Sequence, residues 1–561
     1  MYGAKKIIQT LIDNKTENIF GIPGGSTIPI YDELLNQESI RHVLVRHEQA
    51  AAHAADAYAR IKQKPGVCMA TSGPGSTNLI TGIMTAYMDF VPLIALAGNV
   101  PTTLTGKRAF QETNIVDIAK PITKKSFRIN SAKQIESIIN NAFQTSMTGQ
   151  KGPVLIDIPK DIQTQNTGKQ KNSRTIFGKT IINFDNIKKA AKEILEAKRP
   201  VIIAGGGVIS SMAISELNQL SSGLNIPVAT TLMGKGCFDE ENPLALGVLG
   251  MHGKKIANYA IANADVIISI GCRFSDRVTG NPNFFAQKAK IIQIEIEKKE
   301  VNKNVKSEIA LLGDAKIILR ELIKTIKFGS KKNSVWQEKI KKFVKECNCN
   351  IDINSNKIDP RKIIHELNTV LDKKDIVTTG TGQHQMFAMH FLKRSLPNTF
   401  ITSGGSGTMG YGFPASIGAK IAAPQEKVIN IDGDGSFAMV SQELATCKIE
   451  NINTTQIIFN NSYLGMVRQW QELFLDKRYS HTHLKKSPDF AKLAEACGLT
   501  GTTIEKSSEI KQEIISAINN DETTILDCLI EEESNILPMF GAGANPIDMF
   551  GNCVQNKGVL F

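Results

Sequence analysis

No stretch of this sequence approaches the ~20 consecutive apolar residues that cross a bilayer, which argues against a membrane span. Its nine cysteines form no CxxC pair and no Cys/His cluster, and only Cys347 and Cys349 stand close together. That spacing argues against structural zinc and against a disulfide framework, and points to a reducing cytoplasm. Met1 to Thr10 holds neither an apolar h-region nor a small-residue cleavage site, so no secretory signal is expected. Aromatic residues make up only 6%, and no helix-turn-helix, RNP or zinc-finger pattern occurs. The formal net charge of +12 is therefore not read as a nucleic-acid footprint. The lysines are scattered, with runs at Lys169–Arg174 and Lys327–Lys345, and read as a solvated surface that also tolerates anionic ligands.

What is present is a repeated alternation. Length, 561 residues, and 42% hydrophobic content allow several cores. Single cores stop growing near ~250–300 residues, so two to four domains are expected. Short apolar runs followed by helix-like segments recur at Val67–Ala70, Leu93–Ala97, Val154–Ile158, Val201–Ala204, Val266–Ile270, Val428–Ile431 and Gln456–Phe459. Buried β-type runs alternating with helices indicate parallel sheets covered on both faces. Two polar stretches, Gln163–Asp185 and Phe328–Lys357, read as linkers. The expectation is an α/β chain of three doubly wound parallel-sheet domains, residues 1–163, 186–327 and 358–535. A tail, 536–561, carries Pro538, Gly541, Gly543 and Pro546 and reads as a closing segment. No short-period repeat is visible.

The strongest chemical signal lies in the last third. Ile431-Asp432-Gly433-Asp434-Gly435-Ser436-Phe437 follows one strand-like run, and Ile458-Phe459-Asn460-Asn461 closes another. Ligands of open parallel sheets bind beyond the carboxyl ends of strands. Gly433 and Gly435 permit a tight turn and close approach by a phosphate. Asp434 offers a hard carboxylate and Asn461 an amide oxygen. Magnesium takes one or two such protein oxygens together with phosphate and water. A Gly-Asp-Gly triplet alone is a common turn; the paired arrangement is specific. It resembles the signature of thiamine-diphosphate enzymes. The resemblance implies a metal site of Asp434, Asn461 and the main-chain carbonyl of Tyr463, with Gly433, Gly435 and Ser436 at the diphosphate.

Val45-Arg46-His47-Glu48-Gln49-Ala50-Ala51-Ala52-His53 opens an alanine-rich helical stretch. Alone, Glu48 reads as a carboxylate welcome in a first helical turn. The whole stretch to Arg60 resembles the glutamate motif of the decarboxylase-carboligase branch of these enzymes. There the glutamate bonds N1′ of the aminopyrimidine and favours the imino tautomer that deprotonates C2. In that family the glutamate and the diphosphate site come from different subunits, so a homodimer is the implied minimum.

Further segments resemble the large catalytic subunits of the acetohydroxyacid synthase (acetolactate synthase) family over nearly the whole chain. They are Gly21–Gly25, Thr71–Gly75, Ala109–Thr113, Gly152–Gln163, Gly250–Gly253, Arg273–Gly280, Gly382–Met386, Ser403–Gly412 and Gly465–Gln471. The resemblance implies decarboxylation of pyruvate on thiamine diphosphate. The resulting hydroxyethyl carbanion/enamine condenses with a second pyruvate or with 2-oxobutyrate, the first common step of branched-chain amino-acid biosynthesis. Gly407 and Met409 match the stretch that bonds the aminopyrimidine and props the bent cofactor, although a core methionine would look the same. Gln383 and His384 match groups reaching the diphosphate, and Gly25 offers close backbone approach. Arg277 matches the group holding the acceptor's carboxylate; by itself it is equally a surface salt bridge. Trp470 matches the residue that prefers an ethyl over a methyl acceptor. Phe110, Gln111, Lys160, Met466 and Val467 match site-lining positions, and the apolar ones are equally compatible with plain core.

In the middle, Pro200–Ala204 runs into Gly205-Gly206-Gly207. With Thr230, Leu232, Met251, His252, Gly271, Arg273, Arg277 and Glu295 it resembles this family's FAD-binding domain, where the flavin is structural in the main reaction. Departures from the family pattern are Gly380 and Thr381 for aspartate and valine, Ser406 for leucine, and Lys107-Arg108 for threonine and aspartate. Asp56 also stands for glutamate, Ser275 for aspartate, and Glu295 and Glu297 for aspartates. An extra methylene at those glutamates is expected to shift the ribose contact or weaken FAD binding, and Ser406 and Gly380 to loosen the cofactor site. Glu48 argues against glyoxylate carboligase, which lacks it, and Arg277 with Trp470 against pyruvate oxidase. A flavin-free acetolactate synthase and a non-catalytic cofactor-binding protein are the remaining rivals. The family also implies a separate small regulatory subunit, since nothing here reads as one. No nucleic-acid or membrane partner is expected.

Overall fold

Each of the seven apolar runs forms a strand in the computed structural model, which describes residues 1–168, 182–326, 334–346, 358–485 and 487–551. Among the described residues, eighteen strands form three six-stranded sheets, parallel throughout. The first holds β1 (Asn18–Gly21), β2 (Arg41–Leu44), β3 (Gly66–Ala70), β4 (Leu93–Asn99), β5 (Lys125–Arg128) and β6 (Pro153–Pro159). The second holds β7 (Pro200–Ala204), β8 (Val228–Thr230), β9 (Ala245–Val248), β10 (Val266–Ile270), β11 (Lys290–Glu295) and β12 (Ile309–Leu312). The third holds β13 (Ile376–Thr379), β14 (Phe400–Thr402), β15 (Val428–Gly433), β16 (Thr455–Asn460), β17 (Thr500–Ile504) and β18 (Thr524–Leu529). β3, β4, β6, β7 and β10 are buried at every residue, as expected of strands covered on both faces. The three doubly wound parallel-sheet domains expected from the sequence are therefore borne out.

The strand orders say more than the count. The first sheet runs β2-β1-β3-β4-β6-β5 and the third β14-β13-β15-β16-β18-β17, which is the same order repeated. The middle sheet runs β12-β11-β10-β7-β8-β9, the 3-2-1-4-5-6 order of dinucleotide-binding folds read from its other edge. Order reverses between β1 and β3, between β7 and β10, and between β13 and β15. Order reversals of this kind are where ligands of open parallel sheets bind, at the carboxyl ends of the strands.

The helix Glu48–Lys62 is alanine-rich for a packing reason. Ala50, Ala51, Ala52, Ala54, Ala55 and Ala57 are all fully buried. The helix is enclosed between the first sheet and the helix Gly412–Ala422 of the third domain, and small side chains let the backbones approach. The polar stretches are less uniform than the sequence suggested. Gln163 is buried and donates to the carbonyls of Ser26 and Ile158, and Thr167 pairs with Met1. Ser334–Glu346 is a helix whose Trp336 and Ile340 pack against the middle core, with Phe343 stacked on Tyr259. Spacing of i, i+4 and i+7 places these three on one face, a pattern hidden among lysines. Of the two supposed linkers, residues 169–181, 328–333 and 347–357 lie outside the described residues, as do Lys327, Lys486 and 552–561 of the tail. Within the tail, Ile536, Met539 and Phe540 are fully buried. Ile536 exchanges two hydrogen bonds with Gln469, and Phe540 N–H donates to the Met251 carbonyl, so this segment bridges the third and middle domains. No helix among the described residues is long and apolar enough to cross a membrane.

Candidate active site

At the third sheet's order reversal, the turns after β13 and β15 face one another. A small cavity of about 90 Å³ there is lined by Gln383, His384, Asp434, Ser436, Asn461 and Tyr463, among others. Gly433 closes β15 directly beneath His384; a Cβ there would lie 2.7 Å from the imidazole Nδ1, so only glycine permits the approach. Gly435 is likewise hemmed by Leu464 at 2.8 Å. Asp434 is 2% exposed. Its Oδ1 accepts the Gly435 N–H at 2.9 Å, while Oδ2 is buried with no partner. Burial raises its carboxyl to about 7. A buried carboxylate with a free oxygen is costly unless a cation completes it. Beyond β16, Asn461 Oδ1 accepts the Tyr463 N–H at 3.1 Å across a left-handed Ser462. Among the described residues no three His, Cys, Asp or Glu side chains converge. A cation here would complete its shell with amide, carbonyl, phosphate or water oxygens, as magnesium does.

The histidine beside it is neutral. Burial pulls His384 down to about 3, and its Nε2 lies 3.5 Å from Asp432 Oδ1 without a hydrogen bond. Gln383 donates to Gln469 Oε1 at 2.8 Å and to the Ser534 carbonyl at 3.2 Å. Ser436 Oγ accepts the Gly410 N–H at 2.9 Å and so ties the Gly407–Met409 loop to the β15 turn. Gly380 leaves no gap: any Cβ would run into the Asp432 carboxylate. Ser406 holds a hydroxyl that is buried and unpartnered, as does Thr381.

A second, far larger cavity of about 1010 Å³ opens where the three domains meet. Gly206, Gly207 and Gly271 form its floor at the β7/β10 reversal. Gly207 N–H donates to the Gly271 carbonyl at 3.1 Å, and Gly271 takes φ +56° with Gly207 so close that a Cβ would clash with its Cα. Gly205, one residue earlier, supports this turn from below and does not line the cavity. Leu232, Met251, His252, Arg273, Arg277 and Glu295 line the middle-domain wall. Glu295 closes β11, is 7% exposed, and accepts the N–H groups of Ile296 and Glu297; burial raises its carboxyl. His252, pulled down to about 4 by burial, has an unpartnered Nδ1. Thr230 ends β8 with a buried, unpartnered hydroxyl outside the cavity lining. Arg277 is largely exposed, with Nη1 3.3 Å from Met251 Sδ and Nε 3.7 Å from Asp276. The opposite wall is third-domain: Gly407, Met409, Met466, Val467 and Trp470. Met409, Met466 and Val467 also line the small cavity, so the two are continuous through these side chains.

The first domain's residues gather elsewhere. Gly25, Glu48, Gln111 and Lys160 follow the carboxyl ends of β1, β2, β4 and β6. Glu48 Oε2 accepts from Asn78 Nδ2 at 2.9 Å, and Oε1 lies near Gly75. Gln111, in a left-handed conformation, packs over Gly73. Gly25 faces open space, and Phe110 is 89% exposed, so it is not core. None of Gly25, Glu48, Phe110, Gln111 and Lys160 lines either cavity in the same chain. Sequence reasoning missed Asn78 and the buried Asp89. The trace each leaves is slight: Asn78 closes a Gly-Ser-Thr turn like any polar residue, and Asp89 is one carboxylate between apolar neighbours.

Comparison with known proteins agrees with this architecture domain by domain. Residues 1–118 match the thiamine pyrophosphate enzyme N-terminal TPP binding domain, 187–322 the central domain, and 380–528 the C-terminal TPP binding domain. A probable acetolactate synthase large subunit of Methanocaldococcus jannaschii is 48% identical over 557 residues, covering 97% of this chain and 94% of that one. The acetolactate synthase large subunit of Cyanidium caldarium is 42% identical, covering 99% and 97%. The acetolactate synthase of Mycobacterium bovis is 40% identical, covering 97% and 90%. With such likeness along nearly its whole length, and with the cavities at the strand ends where cofactors bind, the chain belongs to the acetolactate synthase large-subunit family of thiamine pyrophosphate enzymes.

Proposed function

We propose that the chain forms 2-acetolactate from two pyruvates with loss of carbon dioxide, and 2-aceto-2-hydroxybutyrate when 2-oxobutyrate is the acceptor. The observation that carries the reading is the buried, unpartnered Oδ2 of Asp434 in the small cavity, which Met409, Met466 and Val467 join to the larger cavity lined by Trp470. Asp434, Asn461 and the Tyr463 carbonyl would hold Mg²⁺, which would supply positive charge to offset that of the diphosphate. Gln383 and neutral His384 reach its oxygens, and Gly433, Gly435 and Ser436 let the chain run close beside it. Gly407 and Met409 seat the aminopyrimidine. When bound, thiamine diphosphate supplies the electron sink for breaking the carboxylate bond of a 2-keto acid. Arg277, largely exposed at the cavity wall, pairs with the acceptor's carboxylate, and Trp470, Met466 and Val467 bound the space for its alkyl group.

Glu48 holds the proton at the pyrimidine N1′ of a site on a second copy. Its separation from both cavities of its own chain supports a homodimer in which Gly25, Phe110, Gln111 and Lys160 cross over with it. The dinucleotide-type strand order, the Gly205–Gly207 turn against Gly271, and Glu295 at the end of β11 support FAD in the middle domain, Glu295 meeting ribose hydroxyls. Thr230, Leu232, Met251, His252 and Arg273 complete that site. The relatives' designation as large subunits supports a separate small regulatory partner. The free cysteines among the described residues fit a cytoplasmic setting.

The test is acetolactate formation from pyruvate with thiamine diphosphate and Mg²⁺, with and without FAD, for wild type and Glu48→Gln. FAD-dependent product that largely disappears in the variant is the expected result. No product under any condition, with a candidate regulatory subunit supplied, sinks the proposal.

A further inference from the structure

The segment Met88-Asp89-Phe90, between the helix Ile80–Met88 and β4, has no part in the chemistry above, yet it touches all three domains. The Asp89 side chain is fully buried. Its Oδ1 accepts the Gly405 N–H at 2.7 Å, and Oδ2 accepts the Gly404 N–H and Arg60 Nη2, both at 3.1 Å. Arg60 is itself fixed by Asp56 at 2.7 Å. From the middle domain, Arg273 donates to the Met88 carbonyl at 2.8 Å and lies 5.3 Å from the centre of the Phe90 ring. Phe90 takes φ +59°, a conformation a bulky residue holds only where its surroundings over-determine it. One turn earlier, Thr85 Oγ1 meets Thr408 Oγ1 at 2.8 Å. The loop that carries Gly407 and Met409 is thus held to the first domain at both ends. The segment that holds it is tied through Arg273 to the cavity's other wall.

Space reinforces the contact. A Cβ on Gly405 would lie 2.8 Å from both Asp89 Oδ1 and the Met88 carbonyl, so the loop is seated directly on this carboxylate. Asp89, Arg273, Gly404, Gly407 and Met409 all line the same 1010 Å³ cavity. A structural ion pair with Arg60 alone would need neither loop amide.

We propose that Asp89 is a positioning residue that couples the flavin end of the cavity to the thiamine end. Flavin fixes Arg273, Arg273 fixes Met88–Phe90, and Asp89 sets the Gly404–Met409 loop for the aminopyrimidine. This rests on the assignment of both cofactors made above. Coupling of this kind is reciprocal: each ligand tightens the other by one factor, typically on the order of 5–150-fold.

The experiment titrates Mg²⁺-thiamine diphosphate into the full-length protein by calorimetry, without FAD and with saturating FAD, and then exchanges the two roles. FAD is expected to tighten thiamine diphosphate at least about fivefold, with the same factor in the reverse titration. In Asp89→Asn, where an amide N–H replaces one of the two acceptors, each cofactor still binds but the factor falls toward one. Gly405→Ala, which pushes the loop off the same carboxylate, does likewise and serves if the asparagine variant does not fold. Equal thiamine-diphosphate affinity with and without FAD in the wild type overturns the inference and leaves the proposed activity standing. So does undiminished coupling in either variant. Binding of neither cofactor overturns the activity and the inference together.

Discussion

Glu443 of the third domain accepts the backbone N–H of Arg46 with both carboxylate oxygens at 3.1 Å, two residues before Glu48. The contact joins the start of the alanine-rich helix to the domain that carries Asp434, and Thr446 donates to the same carboxylate at 2.7 Å. Burial raises Glu443 from 4.5 to about 7. A folded-state value above the unfolded one means that folding takes up a proton between the two. The stability so contributed is full below about pH 4.5 and is lost as pH rises through about 7.

From pH 5 to pH 8 the wild type is therefore expected to lose melting temperature relative to Glu443→Gln. One group contributes at most ~1.4 kcal/mol per pH unit, or roughly 3–6 °C per unit for a domain of this size. Asp432 and Asp434, also raised by burial, add the same sign in protein free of metal, and His252 and His384, lowered by burial, add the opposite one, so only the comparison of variant with wild type isolates Glu443. Parallel curves for the two proteins would count against this assignment.

Asp434→Asn separates function from stability. The amide keeps the shape and removes the charge that burial penalises. Metal-free protein is expected to melt at the same temperature or higher at pH 8, while Mg²⁺-dependent binding of thiamine diphosphate weakens at least tenfold, ~1.4 kcal/mol. Unchanged binding by calorimetry would remove Asp434 from the metal site.

Gly271→Ala tests the floor of the large cavity. Left-handed geometry costs a non-glycine residue ~1–2 kcal/mol, and the new methyl meets Gly207 Cα, so the turn must open. Purified variant is expected to lose flavin absorbance on gel filtration and to melt a few degrees lower. Stoichiometric retained flavin would show that the Gly207–Gly271 contact does not shape the site.

How far the sequence alone carried these sites depends on the physics of each part. Central strands such as β4 and β10 are buried on both faces and show as unbroken apolar runs. β2 and β5, at the first sheet's edges, carry Arg41, His42, Lys125 and Arg128 and resemble loops. Gly433 and Asn461 were legible because their chemistry is local to two turns. That Gly433 lies under His384 was not, because strand order decides it and β13 and β15 are far apart in sequence. The matching orders of the first and third sheets left no trace as a repeat, since topology is held by burial pattern and not by residue identity. Asp89 was invisible because, beside Arg60, its partners are the backbone amides of Gly404 and Gly405, far along the chain, and every residue but proline carries such an amide.

Acceptor choice gives the last test. Trp470 lines the large cavity with Phe474 tilted against its ring at 5.3 Å, so the indole is held from behind and presents a fixed wall. An ethyl group differs from a methyl by one methylene, worth ~1–3 kcal/mol in an apolar pocket, which caps discrimination at roughly 10–200-fold. Trp470→Leu removes the wall's flat face and keeps an apolar lining. With equal pyruvate and 2-oxobutyrate, the product ratio is expected to shift toward 2-acetolactate by about tenfold or more, within that ceiling, while the rate with pyruvate alone changes less. Competition measured by product analysis decides it. A ratio that stays at the wild-type value while both rates fall together would make Trp470 a packing residue for the Gly465–Phe474 helix, and acceptor preference would then have to reside in Met466, Val467 or the Arg277 side of the cavity.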